Sequence, residues 1–191
     1  MNSSNEAMTI TIKNFSGFFS AFFFIAILLV SGCSSISKKP SPELEVVSYV
    51  DIERYLGKWY EIALYPNWFE KGCFNSTAYY EKLESGHIKV TNQCRMHSPD
   101  GELKEATGVA TIADGKTNAK LKVQFFWPFK GDYWIIYLDR DYQYAIVSEP
   151  DRQYLWILSR SPAMDIQLLE TLKEKIHNKG FNLTYLVKTH Q

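Results

Sequence analysis

Three cysteines and four histidines carry the sharpest chemistry in this chain, and their spacing limits what they can do. Cys33, Cys73 and Cys94 include no Cys-x-x-Cys pair, so dithiol redox chemistry is only weakly indicated. His87, His97, His177 and His190 show no metal-ligand spacing, and no metal or other cofactor is expected. The chain has no Gly-x-Ser-x-Gly, no His-Glu-x-x-His and no P-loop, so no residue is nominated as catalytic and no enzyme is expected. Cys33 closes an uncharged apolar run, "FFSAFFFIAILLV" (18–30), after the small pair Ser31-Gly32. Cys73 and Cys94 stand at the ends of a segment whose core, "TAYYEKLESGHIKVTNQC", reads as two strands around the turn Glu84-Ser85-Gly86. A hairpin brings both cysteines to one end. In an exported, oxidising compartment an even pair favours a disulfide, with two free thiols or a redox site as the alternatives.

The apolar run decides the compartment. It is shorter than the roughly 20 residues that span a bilayer, and it follows Lys13, the layout of a secretory signal peptide. A start at Met8 would leave out Glu6 and shorten the positive region. Leu29-Val30-Ser31-Gly32-Cys33 resembles the lipobox of bacterial lipoproteins, which implies cleavage before Cys33 and acylation of that cysteine with chains such as palmitate. Two or more chains anchor a protein stably. Ser34, rather than Asp, follows the cysteine. By resemblance to lipoprotein sorting in enteric-type bacteria, that favours the outer membrane. The expected organisation is a signal peptide over 1–32, lipidated Cys33 with a Ser/Lys/Pro-rich tether over 33–49, a folded domain over 50–188 and a tail over 189–191. A formal net charge of zero, without a basic cluster, gives no reason to expect nucleic acid.

The elements that must position any site are short alternating runs between turn residues. They fall at 58–65, 77–83, 87–93, 104–113, 119–126, 132–138, 143–148 and 154–160. Ser161 as N-cap and Pro162 as first helical residue open one helix. Its stripe is Ile166, Leu169, Leu172 and Ile176, and Asn178-Lys179-Gly180 ends it. "FNLTYLV" (181–187) reads as a ninth strand. This is an all-β pattern: an eight-stranded antiparallel up-and-down barrel, a C-terminal α-helix packed outside and a short ninth strand. Such a barrel has room for its own side chains or one small ligand.

With this order of elements, Gly57-Lys58-Trp59-Tyr60 resembles the first motif of the lipocalin family. "LDRDYQYAIV" (138–147) resembles the second, and Arg160 in "WILSRSP" the third. The resemblance covers about residues 50–188 and is nearest to the bacterial outer-membrane lipoprotein lipocalins and the apolipoprotein D-like group. It implies a structural barrel floor in which Arg160 stacks on Trp59, a contact worth about 0.5–2 kcal/mol. Gly57 would there allow a tight entry into the first strand.

Alternation puts Trp156 and Leu158 on the face of Arg160, Val90 and Asn92 on one face of the third strand, and Leu121, Val123 and Phe125 on one face of the fifth. The resemblance implies that Tyr80, Asn92 and Trp156 line a cavity; Val90, Val123 and Phe125 join them as ligand-binding candidates. Trp68, Phe69, Trp127 and Phe129 lie in connections that would ring the barrel mouth, where they line it, touch a bilayer or pack within their loops, and Lys71 and Lys130 stand near them. The implied function is a membrane-anchored binding protein for a hydrophobic ligand, a lysophospholipid or fatty acid, in envelope maintenance. A structural lipoprotein with a filled barrel and a cavity-thiol enzyme are the alternatives, and a homodimer stays open.

Overall fold

The computed structural model describes residues 42–191; the expected signal peptide and Cys33 lie outside the described residues. Eight strands form the body: β1 (Gly57–Leu64), β2 (Cys73–Lys82), β3 (Ile88–Met96), β4 (Leu103–Ile112), β5 (Lys120–Phe126), β6 (Phe129–Leu138), β7 (Tyr144–Ser148) and β8 (Leu155–Ser159). Each pairs antiparallel with the next, and β1 pairs with both β8 and β2, closing the ring. Closure removes the open edges that a sheet of this length would otherwise present. A single helical turn, α1 (Ile52–Tyr55), precedes β1, and α2 (Ile166–Asn178) follows β8.

Alternation sorts the apolar residues into two cores. Inside the barrel are Trp59, Tyr80, Ile88, Val90, Ala110, Leu121, Ile135, Val147 and Leu158. Outside, Ile62, Ile136, Ile146, Leu155 and Ile157 meet Leu169, Leu172, Ile176 of α2 and Phe181 beyond it. Strands β7 and β8 are thus buried on both faces, which is why "YAIVS" and "LWILS" are nearly continuous apolar runs. Leu172 and Ile176 are fully buried, each stabilising the docked helix by about 1.5–3 kcal/mol.

Several expected boundaries shift. The helix begins at Ile166, capped by Asp165, whose carboxylate accepts from the N–H groups of Gln167 (2.9 Å) and Leu168 (3.1 Å). Ser161 instead accepts from the Ala163 N–H within the preceding turn. Ile166 is 63 % exposed, so the buried stripe is Leu169, Leu172 and Ile176. The helix ends as expected, with Gly180 in the left-handed region (φ +84°) donating to the His177 carbonyl. Residues 181–187 are not one strand. Asn182 accepts from the Thr184 N–H and starts a 3₁₀ turn, Leu183–Tyr185, leaving only β9 (Val187–Lys188).

The packed region also begins upstream of residue 50. Leu44 and Val50 are buried, and Val46 and Val47 pack against the barrel. The Val47 N–H donates to the Ile135 carbonyl (3.0 Å) and the Val50 N–H to that of Thr117 (2.7 Å). β5 begins at Lys120, opposite Trp134, so Ile135 has a carbonyl free for this strap.

The last residues belong to the wall. The last β1–β2 pair is Tyr60 with Thr77. Beyond it β9 adds to Ala63 and Leu64 of β1, and Thr189 donates its N–H to the Ile62 carbonyl. The Asn75 N–H donates to the His190 carbonyl, and the Gln191 amide donates to the carbonyls of Glu61 and Ser76. Residues 187–191 therefore fill the splay between β1 and β2. Cys73 and Cys94 form a disulfide at this end, with Cα atoms 5.4 Å apart. A cross-link closing a loop of this size contributes about 3 kcal/mol. It also takes up the thiols that the cavity-thiol alternative requires among the described residues.

Candidate functional site

The lower end of the barrel is sealed by the three motif segments together. Trp59 is fully buried, and the Arg160 guanidinium lies 3.9 Å above its ring. Arg160 donates to five carbonyls: Lys58 (2.7 Å), Arg54 (2.9 Å), Leu56 (2.9 Å), Tyr55 (3.1 Å) and Tyr142 (3.2 Å). Three of these close the single turn α1, where a cation meets the negative end of the peptide dipoles. Gly57 has φ +90°, and a Cβ there would stand 3.4 Å from the Arg160 guanidinium. The β6–β7 turn braces the same floor. The Asp139 carboxylate accepts from the N–H groups of Asp141, Gln143 and Tyr144, while the Tyr142 hydroxyl accepts from the Asp51 N–H (2.8 Å). Arg54 covers the Tyr142 ring at 4.0 Å.

Above the floor lies a chain of phenols. The Tyr133 hydroxyl is 2.7 Å from that of Tyr55 and 2.8 Å from that of Tyr80. Burial pushes Tyr80 up to about 12 and holds Tyr55 and Tyr133 well above their ordinary value, so all three stay neutral donors and acceptors. Tyr133 is partly accessible, whereas Tyr55 and Tyr80 are buried.

The inner wall then divides by packing, and mostly by height, although packed Val147 pairs directly with half-buried Trp156. Tyr80, Ile88, Val90, Ala110, Leu121, Val147 and Leu158 are closely packed. Toward the mouth, Asn92, Val123, Phe125 and Trp156 point inward but are only half-buried. Of the residues expected from sequence to hold a ligand, Asn92, Trp156, Val123 and Phe125 thus share the upper wall. Tyr80 belongs to the phenol chain below them, and Val90 sits in the packed lower wall at 2 % exposure. Trp156 stacks on Tyr154 (5.9 Å), which meets Phe69 (5.7 Å). Gly108 makes room for Phe125, whose ring atoms would lie 2.9 Å from an added Cβ.

Two carboxyls that the sequence reading passed over lie in this upper region. Glu61 follows Trp59 by two residues and pairs opposite Leu158, which puts it on the inner face. It is buried and accepts from the Thr189 hydroxyl at 2.5 Å. Burial first, then the charge of Glu70, push its carboxyl up to about 8. Glu70, in the β1–β2 connection, accepts from the Trp156 indole N–H (3.2 Å) and from the Asn67 amide. Lys104 of β4 donates to the Phe69 carbonyl (2.9 Å), so this connection is tied to two sides of the barrel. Parity with Trp59 was the available signal for Glu61; Glu70, in an irregular connection, offered none.

The barrel is thus plugged at one end by an arginine-covered indole and walled toward the other by aromatic, aliphatic and amide side chains, the layout on which single-ligand barrels are built. The chain belongs to the lipocalin family: the family model described as Lipocalin-like domain matches residues 50–191. It is similar to the outer membrane lipoprotein Blc of Vibrio cholerae, 39% identical over 172 residues that cover 89% of this chain and 97% of that one. It is also similar to apolipoprotein D of Mus musculus, 34% identical over 82% of this chain and 84% of that one. Among solved structures, insecticyanin from the tobacco hornworm Manduca sexta shares the fold, with a TM-score of 0.63 at 20% identity, covering 78% of this chain and 85% of that one. The protein is placed at the outer membrane as a lipid-anchored lipoprotein. Among the described residues, no helix is long and apolar enough to cross a membrane.

Proposed function

We propose that this lipocalin, acylated at Cys33, holds one single-chain lipid, a lysophospholipid or a fatty acid, in its upper chamber and stores or carries it in maintenance of the cell envelope. The observation that carries the reading is the half-buried inner wall of Asn92, Val123, Phe125 and Trp156 above a sealed floor. Apolar walls with a few polar groups suit an acyl chain with a polar head. The Asn92 amide has no hydrogen-bond partner among the described residues and is free to meet a head group. Burial of a chain of about 16 carbons contributes at most roughly 12 kcal/mol, before association costs. The names of the similar proteins, an outer membrane lipoprotein and an apolipoprotein, support a lipid setting.

Titration with lysophospholipid, followed by tryptophan emission, tests this. Trp156→Ala is expected to weaken binding about tenfold, equivalent to about 1.4 kcal/mol. Unchanged affinity in that variant would place the ligand elsewhere.

A further inference from the structure

Four large aromatic side chains have no role in the chamber. Trp68 is 80 % exposed, Phe126 73 %, Trp127 86 % and Phe129 77 %. All lie at the open end, Trp68 in the β1–β2 connection and the other three at the tip of the β5–β6 hairpin, where Phe126 pairs with Phe129. The chamber residues Phe125 and Trp156 are half-buried by comparison. Water-facing rings grouped at one end of a domain mark a surface that meets something apolar.

A second observation says what that is. The Pro42 carbonyl accepts from Arg152 at 2.9 Å. Arg152 sits in the β7–β8 turn, another of the connections around the open end. The described chain therefore starts at the mouth end of the barrel. Cys33 lies only residues 33–41 upstream, a stretch that reaches about 30 Å at full extension. One long barrel strand such as β6 spans about the same distance. A membrane beneath the floor would consume the whole reach of the tether, whereas a membrane at the mouth requires almost none of it.

We infer that the open end of the barrel docks on the phospholipid bilayer that holds the chain's own anchor. Trp68, Phe126, Trp127 and Phe129 seat among the head groups and upper acyl chains, and the chamber opens toward the lipid. Indole and phenyl rings favour that interfacial depth. Lys71 and Lys130 flank the rings, but Asp100, Glu102, Glu149 and Asp151 occupy the same end, so attachment is by apolar insertion and changes little with salt. A single-chain lipid then passes between bilayer and chamber without crossing bulk water. The inference rests on the lipid-anchored carrier reading above.

The test uses the full lipidated chain in vesicles of phosphatidylethanolamine and phosphatidylglycerol with brominated acyl chains. The Trp68→Phe/Trp127→Phe variant, which keeps Trp156, separates bilayer contact from lipid inside the chamber. The expected result is quenching of tryptophan emission that persists at high salt and disappears in Trp68→Phe/Trp127→Phe. Phe126→Ser/Phe129→Ser should reduce the quenching at unchanged thermal unfolding. Protein that floats with the vesicles while Trp68 and Trp127 stay unquenched overturns the docking. So does a concentration-dependent dimer that buries the hairpin tip against a second copy. Protein that fails to float removes the anchor and overturns it as well. Bound single-chain lipid, measured in the same sample, separates the two readings: lipid retained without quenching sinks the docking alone, and quenching without any bound lipid sinks the carrier function.

Discussion

Arg160→Ala is expected to destabilise the domain by about 3–5 kcal/mol, read as a fall in the urea midpoint with the disulfide intact. The alanine removes a guanidinium that satisfies five carbonyls and covers Trp59. Three of those carbonyls, of Arg54, Tyr55 and Leu56, end a single helical turn, and among the described residues only that of Tyr55 has a second donor, the Trp59 indole. Their desolvation cost remains after the donor is gone, which is why the expected loss exceeds the stacking term alone. For a domain of this size the shift in Tm is about 10 °C. Arg160→Lys should recover only part of the loss, because an ammonium lacks the planar fork that reaches several carbonyls at once. A change under about 1 kcal/mol in Arg160→Ala would mean that Trp59 seals the floor unaided.

Glu61→Gln is expected to remove a pH dependence of similar size. The Glu61 carboxyl has an ordinary value of 4.5 and is pushed to about 8 in the folded protein. Between those values the folded state keeps a proton that the unfolded chain has lost. Stability from this group is therefore fully present below 4.5 and is lost as pH rises toward 8. The wild-type protein should be less stable at pH 8.5 than at pH 5 by on the order of 3 kcal/mol. Glutamine keeps an oxygen for the Thr189 hydroxyl and an amide to donate to Glu70. The variant should lose most of that slope and be the more stable protein at pH 8.5. Urea titrations at both pH values check this, and parallel slopes in the two proteins would show that Glu61 is charged in the fold throughout.

The contrast between Arg160 and Glu61 shows where sequence reading reached and where it stopped. Trp59, Arg160 and the Asp139 turn lie in motifs with fixed order, and each strand's alternation exposed the barrel directly. Parity set Trp156 and Asn92 each on one face of its strand and Val123 with Phe125 on one face of theirs, and the family resemblance turned Trp156 and Asn92 inward. It did not grade height along the barrel, so Val90, in the packed lower wall, was grouped with Asn92 above it. Glu61 shares the parity of Trp59, but a carboxylate in an alternating run reads as a solvated face. Tyr55 meets Tyr133 only because α1 folds under the barrel, a contact between residues 78 positions apart. The strap from Leu44 to Val50 was hidden by its setting: four apolar residues behind a Ser/Lys/Pro stretch look like tether until Ile135 supplies a hydrogen-bond partner. The start of α2 misled for a local reason, since Ser161-Pro162 fits a cap but Asp165 offers its carboxylate to two N–H groups.

If the chamber above the Trp59–Arg160 floor holds one single-chain lipid, that lipid should accompany the purified protein. Native mass spectrometry of the lipidated full chain, purified in mild detergent and then challenged with lysophospholipid and fatty acid, tests it most directly. One bound single-chain lipid per chain is expected, displaced by the added ligand and depleted in Trp156→Ala. A bare protein that takes up neither ligand would contradict it, and Asn92, Val123, Phe125 and Trp156 would then be the loose upper packing of a structural barrel.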